Sequence, residues 1–138
     1  MALEIDRSII GSEFDRTQFE PVKQEEILEY SDVSGETGTT DATGRLIAPP
    51  GFVVRLRGKR FMPANLPKFG PNAFDAGKDI EFGAPICEGD ALIGVSTVHD
   101  IYEKTGRSGS MWFLVLRTVL TNQRDEQVAV IDQKMMFR

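Results

Sequence analysis

The chain has 138 residues, 41% of them hydrophobic and 27% charged, with a net charge of −5 and a pI of about 4.9. That length reads as one domain, 1–138, able to bury roughly two-thirds of the surface its unfolded form exposes, and the acidic balance argues against nucleic acid or an anionic membrane as main partner. No apolar run approaches the ~18 residues needed to cross a bilayer, and a lone Cys87 and a lone His99 exclude an internal disulfide and the usual Cys/His zinc cage.

A reducing cytoplasm fits that cysteine usage, and the N-terminal MALEIDRSII is acidic rather than signal-like. Residues 1–21 scatter Ile5, Ile9, Ile10, Phe14 and Phe19 among polar groups and carry one strand at most. Residues 23–34 read as a helix. Ile27, Leu28 and Ser31 share a face, Glu25, Glu26 and Glu29 are solvated, and Gly35 closes it in a left-handed conformation. Small residues from Gly38 to Gly44 then form a loop.

The central stretch runs from Gly44 to Gly58. Leu46 and Ile47 enter extended, Pro49 forces Ala48 to stay extended, and Pro50 suits a first helical turn, where an N–H would lack a partner anyway. Phe52, Val53, Leu56 and Phe61 follow at helical spacing, with Arg55, Arg57 and Lys59 on the other sides. The free amides at the start of that helix, beside Gly51, are able to hold a carbonyl oxygen or another anion-like acceptor. Residues 58–76, with Pro63, Pro67, Gly70 and Pro71, read as an irregular surface excursion.

From Gly77 the pattern is of strands. Residues 79–82 form a short one, and Glu88-Gly89-Asp90 turns into a longer one over 91–102, with Ile93, Val95, Thr97, His99 and Ile101 on one face. After a turn at 104–109, residues 111–121 place Trp112, Leu114, Leu116 and Leu120 on one side and Phe113, Val115 and Val119 on the other, with Trp112, Leu114 and Leu116 expected to face Phe52, Val53 and Leu56. Residues 127–137 are the last strand. Helices first and an antiparallel meander after them predict an α+β fold with the sheet packed on a helix. A strand apolar on both faces predicts a dimer or a larger assembly.

Several stretches resemble one family. Tyr30-Ser31-Asp32-Val33-Ser34-Gly35-Glu36 and Gly44-Arg45-Leu46-Ile47-Ala48-Pro49-Pro50-Gly51-Phe52 resemble the MaoC-like acyl dehydratases and (R)-specific enoyl-CoA hydratases. So do Gly89-Asp90, Ile101-Tyr102-Glu103-Lys104, Gly106-Arg107-Ser108-Gly109, Thr121-Asn122-Gln123 and Val128-Ala129, in the same order. The match is best to the N-terminal-half type of the two-domain members and poor over 57–75. What the resemblance implies is a hotdog fold, a curved antiparallel sheet wrapped around one long central helix starting near Pro50. It implies a hydro-lyase of fatty-acid type metabolism, acting on an acyl-CoA or acyl-carrier-protein thioester without a cofactor or metal.

Active members of that family carry a Gly-Asp pair with a His five positions beyond the Asp, which together activate one water. Here the Asp position falls on Glu36 and the His position on Asp41, and Gly38-Thr39 stands where the family has Asn-Pro. The pair therefore lacks its imidazole. Asp41 at an ordinary carboxylate pKa of ~3.9 is a poor base. Gly51 matches the position whose amide polarises the thioester carbonyl, with Pro50 and Arg55 beside it as candidate substrate-binding residues. The cluster Arg55, Arg57, Lys59 and Arg60, like Lys104 and Arg107, either meets the phosphates of coenzyme A or is simply solvated. His99 and Cys87 match no motif position and read as structural residues.

Three functions follow from the resemblance. The chain is a degenerate subunit that contributes to an acyl-binding tunnel beside a catalytic MaoC-like subunit in a hetero-oligomer. Alternatively it is a self-sufficient homodimeric hydratase or thioesterase using Glu36 and Asp41, or an acyl-CoA-binding module without turnover.

Overall fold

A computed structural model describes residues 7–64, 66–107 and 109–138; the expectations that involve Ile5 and Ser108 fall outside the described residues. Strand β1 (Glu13–Gln18) precedes helix α1 (Gln24–Ser34), and a hairpin of β2 (Thr39–Thr40) and β3 (Leu46–Ile47) leads into a 3₁₀-helix, Pro50–Arg55. Strands β4 (Ala73–Phe82), β5 (Ile93–Gly106), β6 (Gly109–Thr121) and β7 (Gln127–Phe137) complete the chain. Five strands form one antiparallel sheet in the order β1-β5-β6-β7-β4.

Helix α1 forms where the sequence predicts it. The Glu26 side chain accepts the Lys23 N–H (3.1 Å), Glu25 and Glu26 complement the positive end of the helix dipole, and Gly35 (φ 77°) donates to the Ser31 carbonyl (3.0 Å) in the left-handed cap. Its inward face differs from the expected one. Ile27 is fully buried and Tyr30 packs edge-on against Phe52, whereas Leu28 is 51% exposed.

Two further expectations are corrected. In β5 the face that points inward carries Gly94, Ser96 and Val98, not Ile93, Val95 and Thr97, and His99 is exposed. The cause is a bulge: Val98 pairs with Leu116 and Asp100 with Val115, so His99 has no opposite number and the parity flips there. Ile101 returns to the core by that flip.

The central helix is the second correction. It is a six-residue 3₁₀-helix that ends as Leu56 leaves helical geometry (φ −87°, ψ 83°), and Phe61, expected on its buried face, is 67% exposed. Beyond it the chain still covers the sheet. Met62, Leu66 and Phe69 pack on Val98, Ile101, Trp112, Leu114 and Leu116. Those three keep a helical spacing of four and three, but Pro63 and Pro67 withhold the N–H groups a helix needs, so the segment covers the sheet as coil. Trp112, Leu114 and Leu116 do face inward, against this segment rather than against Phe52, Val53 and Leu56. The 3₁₀-helix instead packs Phe52 and Val53 with Ile27, Leu92, Leu120 and Ala129 in a separate cluster.

The covering chain is tied to the sheet edge. The buried carboxylate of Asp15 on β1 accepts the backbone N–H groups of Lys59 and Arg60 (3.2 Å each) and the Thr17 hydroxyl (2.7 Å). At the opposite edge, no described strand pairs with the outer side of β4, which exposes Phe74 and Phe82. The outward face of β6 is less open than expected: Val115 is buried and Phe113 stacks on Tyr102, 5.0 Å between ring centres. The whole is a hotdog fold, a sheet wrapped round a central segment that begins as a 3₁₀-helix and continues as coil.

Candidate functional site

The start of the 3₁₀-helix is fixed from both sides. Pro49 is extended (φ −65°, ψ 153°), the Ala48 N–H donates to the Ile86 carbonyl (2.8 Å), and Leu46 and Ile47 pair with Thr40 and Thr39. Gly51 thereby sits beside the end of α1. A Cβ there would meet the Tyr30 hydroxyl and both carboxylate oxygens of Glu36, so these side-chain ends come this close only over a glycine.

Glu36 uses that space. Its Oε2 accepts the Gly51 N–H at 3.2 Å. An unpaired amide at a helical start attracts an anion-like oxygen, and here a side chain of the same chain supplies one. The structure thus brings together two sequence-derived candidates, Glu36 and Gly51, and the Gly51 amide is open to another acceptor only where Glu36 swings aside. The exposed position of Glu36 leaves room for the swing.

Asp41 stands elsewhere in function. Its Oδ1 accepts the Thr43 hydroxyl (2.7 Å) and the N–H groups of Thr43 and Arg45 (2.9 Å each), while Oδ2 accepts Arg45 Nε (3.0 Å). The Thr43 hydroxyl and the Arg45 amide and guanidinium hold its carboxyl far below the usual carboxylate range. A carboxylate so stabilised is a weak proton acceptor, and the arrangement is that of a side chain closing the β2–β3 turn. Glu36 and Asp41 share no hydrogen-bond partner.

Arg55 is likewise engaged within the fold. Nη1 donates to the Glu26 carbonyl (2.8 Å), Nη2 lies 3.8 Å from Glu29, and the guanidinium stands 5.8 Å from the Phe52 ring centre. It ties the end of the 3₁₀-helix to α1. Pro50 lines a cavity of about 290 Å³ with Thr37, Thr39, Ile47, Val53 and Phe82, an apolar chamber next to the Gly51 turn and the end of β4.

The other motif residues build the scaffold. Asp90, fully buried, accepts the Cys87 N–H (2.9 Å) and Gln123 Nε2 (3.0 Å), so the Gly89-Asp90 turn is stapled to the β6–β7 reversal. Burial pushes the Cys87 thiol up, away from the thiolate, and Asp90 adds to this. Lys104 lies over the rings of Tyr102 (5.8 Å) and Phe113 (5.4 Å), and Arg107 is exposed in the turn. Among the described residues no group of His, Cys, Asp and Glu side chains is placed to hold a metal ion, and no helix is long and apolar enough to cross a membrane. Sequence reasoning missed Tyr30 beside Gly51; its i, i+3 relation to Ile27 was the available signal.

No curated protein matches the chain. Among solved structures it is similar to the ChsH1-ChsH2 complex from Mycobacterium tuberculosis, with a TM-score of 0.68, 18% identity, and coverage of 91% of this chain and 83% of that one. It is similar also to a MaoC-like dehydratase from Rhodospirillum rubrum (TM-score 0.63, 18% identity, 93% and 91% covered). An (R)-hydratase from A. caviae involved in PHA biosynthesis gives a TM-score of 0.61 at 13% identity, with 92% and 97% covered. At these identities the likeness establishes the fold. The family follows from the sequence itself, because the FAS1-like dehydratase domain region matches residues 8–131: the chain belongs to that dehydratase-domain family.

Proposed function

We propose that the chain is a subunit of an acyl-thioester hydratase or 3-hydroxyacyl dehydratase that shapes an acyl-binding chamber while a companion subunit supplies the acid/base pair. The observation that carries this reading is the state of Asp41. By the resemblance it falls at the sequence position of the family's imidazole, and its carboxylate is held by the hydroxyl, amide and guanidinium groups of Thr43 and Arg45. The apolar chamber beside Gly51 supports the acyl-binding half of the proposal, and the Gly51 amide is oriented to polarise a carbonyl once Glu36 withdraws. Substrate is a coenzyme A or carrier-protein thioester. The unpaired edge of β4, which ends at the chamber with Phe82, is the surface we assign to the companion, whether a catalytic homologue or a second copy.

Hydration of crotonyl-CoA tests this. The purified chain alone is expected to bind acyl-CoA without turnover, and to support turnover with a homologous subunit that bears an intact Asp/His pair. Robust turnover by the chain alone, abolished by Glu36→Gln or Asp41→Asn, would overturn the reading. It would instead favour a self-sufficient enzyme in which Glu36, released from Gly51 by the incoming thioester, orients the water.

A further inference from the structure

Strand β4 ends the sheet with a long open edge, and its side chains are sorted by face. Ile80 packs on the inner core and Phe82 lines the apolar chamber, so Asp79 and Glu81, which alternate with them, stand on the outer face. Every residue of the strand except Ile80 is exposed, and no described strand covers its free side. Neither Asp79 nor Glu81 makes a hydrogen bond or an ion pair among the described residues. The neighbouring strands do not neutralise them. Asp79 lies opposite Asp132 on β7, and Arg117 of the same row donates from both Nε and Nη2 to Asp132, at 2.8 Å each. Lys78, the one cation of β4, alternates to the inner face with Ile80.

A second copy of the chain closes this edge only through a two-fold axis, which sets the two strands antiparallel. Keeping Ile80 and Phe82 on the inner side of the joined sheet requires the axis to pass beside a residue, because a one-residue slip turns the faces over. An axis at Asp79 sets that carboxylate against its own copy, and one at Glu81 does the same for Glu81. An axis at Ile80 sets Asp79 against Glu81 on both sides. Further along, regular pairing fails. An axis at Lys78 meets the bulge between Asp75 and Lys78, and one at Phe82 brings Asp79 to Pro85, which has no N–H to give. Like charges directly opposite destabilise an antiparallel pair, so the edge rejects its own copy in each regular register that keeps the faces.

We propose that β4 is completed by an edge strand of a different chain, with lysine or arginine opposite Asp79 and Glu81 and an apolar side chain between them, opposite Ile80. The proposal rests on the reading of β4 as the companion's surface, and it decides against the second copy. Charge on an edge strand also serves to prevent aggregation. This edge, however, carries Phe74 and Phe82, 42% and 54% exposed, apolar surface that a bound strand covers. The basic side chains of that strand meet two carboxylates that the fold leaves without partners.

The chain itself supplies the probe. Asp79→Lys with Glu81→Lys makes the edge basic, and in an antiparallel pair centred on Ile80 both carboxylates of the wild-type chain then face the new lysines. By sedimentation equilibrium at low salt, each chain by itself is expected near the 15.4 kDa of the monomer. Their equimolar mixture is expected to associate about tenfold or more tightly than either alone, because two like-charged pairs become unlike ones. Salt at about 1 M is expected to narrow that gap. Asp79→Lys alone is expected to pair with itself, since an axis at Ile80 sets each new lysine against the other copy's Glu81. It keeps the test decisive where the melting temperature shows that the double variant has not folded. Wild-type self-association as tight as that of the mixture overturns the proposal. So does a folded mixture that fails to associate, or, where the double variant does not fold, an Asp79→Lys chain that stays monomeric. Turnover of crotonyl-CoA by the chain alone would overturn the earlier catalytic reading and leave this result standing.

Discussion

Asp15→Ala tests how the covering chain is held. Asp15 is 8% exposed and its carboxylate receives three hydrogen bonds, from the Thr17 hydroxyl at 2.7 Å and from the Lys59 and Arg60 amides at 3.2 Å. The Lys59 amide is shared with Thr17 Oγ1 at 3.1 Å, so it keeps one acceptor in the variant. Bonds to a charged acceptor contribute about 1.5–3 kcal/mol, and long or shared ones fall at the low end, so the expected loss is about 2–4 kcal/mol. That is a large part of a total stability of ~5–15 kcal/mol. Asp15→Asn keeps the shape and one acceptor and is expected to lose about half as much. The assay is urea unfolding followed by the fluorescence of Trp112, the single tryptophan, which packs 6.1 Å from Phe69 of the covering chain. A loss below ~0.5 kcal/mol, within the range of ordinary surface changes, would refute the idea that this carboxylate fastens residues 59–60 to β1.

Leu114→Ala, at a fully buried position under Met62, Leu66 and Phe69, is expected to cost ~2–5 kcal/mol; a loss well under 1 kcal/mol would mean that the coil cover is too loose to register a cavity. Gly51→Ala puts a methyl group where the Tyr30 hydroxyl and the Glu36 carboxylate lie, in the way of any carbonyl approaching the amide, and should weaken acyl-CoA binding about tenfold, at a stability cost below about 2 kcal/mol because both displaced groups are ends of movable side chains. Unchanged acyl-CoA affinity would remove that amide from the site. Asp41, Asp75 and Asp132 are all held below the ordinary carboxylate range, by Thr43 and Arg45, by Gly77 and Gln133, and by Arg117 respectively. The folded state therefore binds fewer protons than the unfolded one, and their stabilisation, present at neutral pH, is lost as pH falls through and below ~4. Urea midpoints that are flat above pH 5 and drop below it are expected, and a midpoint that rises on acidification contradicts this sign. Phe82→Lys on the open edge of β4 is expected to shift sedimentation of the chain mixed with its charge-reversed variant toward the 15.4 kDa monomer; a mixture indifferent to the change would remove Phe82 from the interface.

Local signals were legible and distant ones were not. Gly35 as a left-handed cap, the helix it closes and the inward side of β6 follow from spacing along a few residues, and the structure has all three. The β5 face was misread because a period-two count cannot see a bulge; His99 looks like any other alternating position until its missing partner across β6 is known. The reading of residues 58–76 as a surface excursion fails for a related reason. Their prolines mark irregular chain correctly, but irregular chain can still be buried, and Met62, Leu66 and Phe69 carried that message in their spacing. At the site, the motif positions Glu36 and Gly51 came from the resemblance, whereas the bond between them is a tertiary fact. Asp41 is the opposite case: Thr43 and Arg45 lie two and four residues on, a turn pattern readable from the sequence alone.

The strand order carries a consequence for how the chain comes to be folded. β4 has β7 as its one partner in the sheet and β1 has β5, while β5, β6 and β7 follow one another as hairpins. A ribosome extrudes β1 and β4 long before either can find its mate, and closing those loops across the sequence is the slow, entropically expensive step. Until Gln127–Phe137 emerges, β4 has two free edges rather than one, beside the still uncovered Phe52 and Val53. The nascent chain is thus most prone to aggregate between the emergence of β4 and that of β7, and a companion that caps β4 at that moment would act as a folding partner before it acts as anything else.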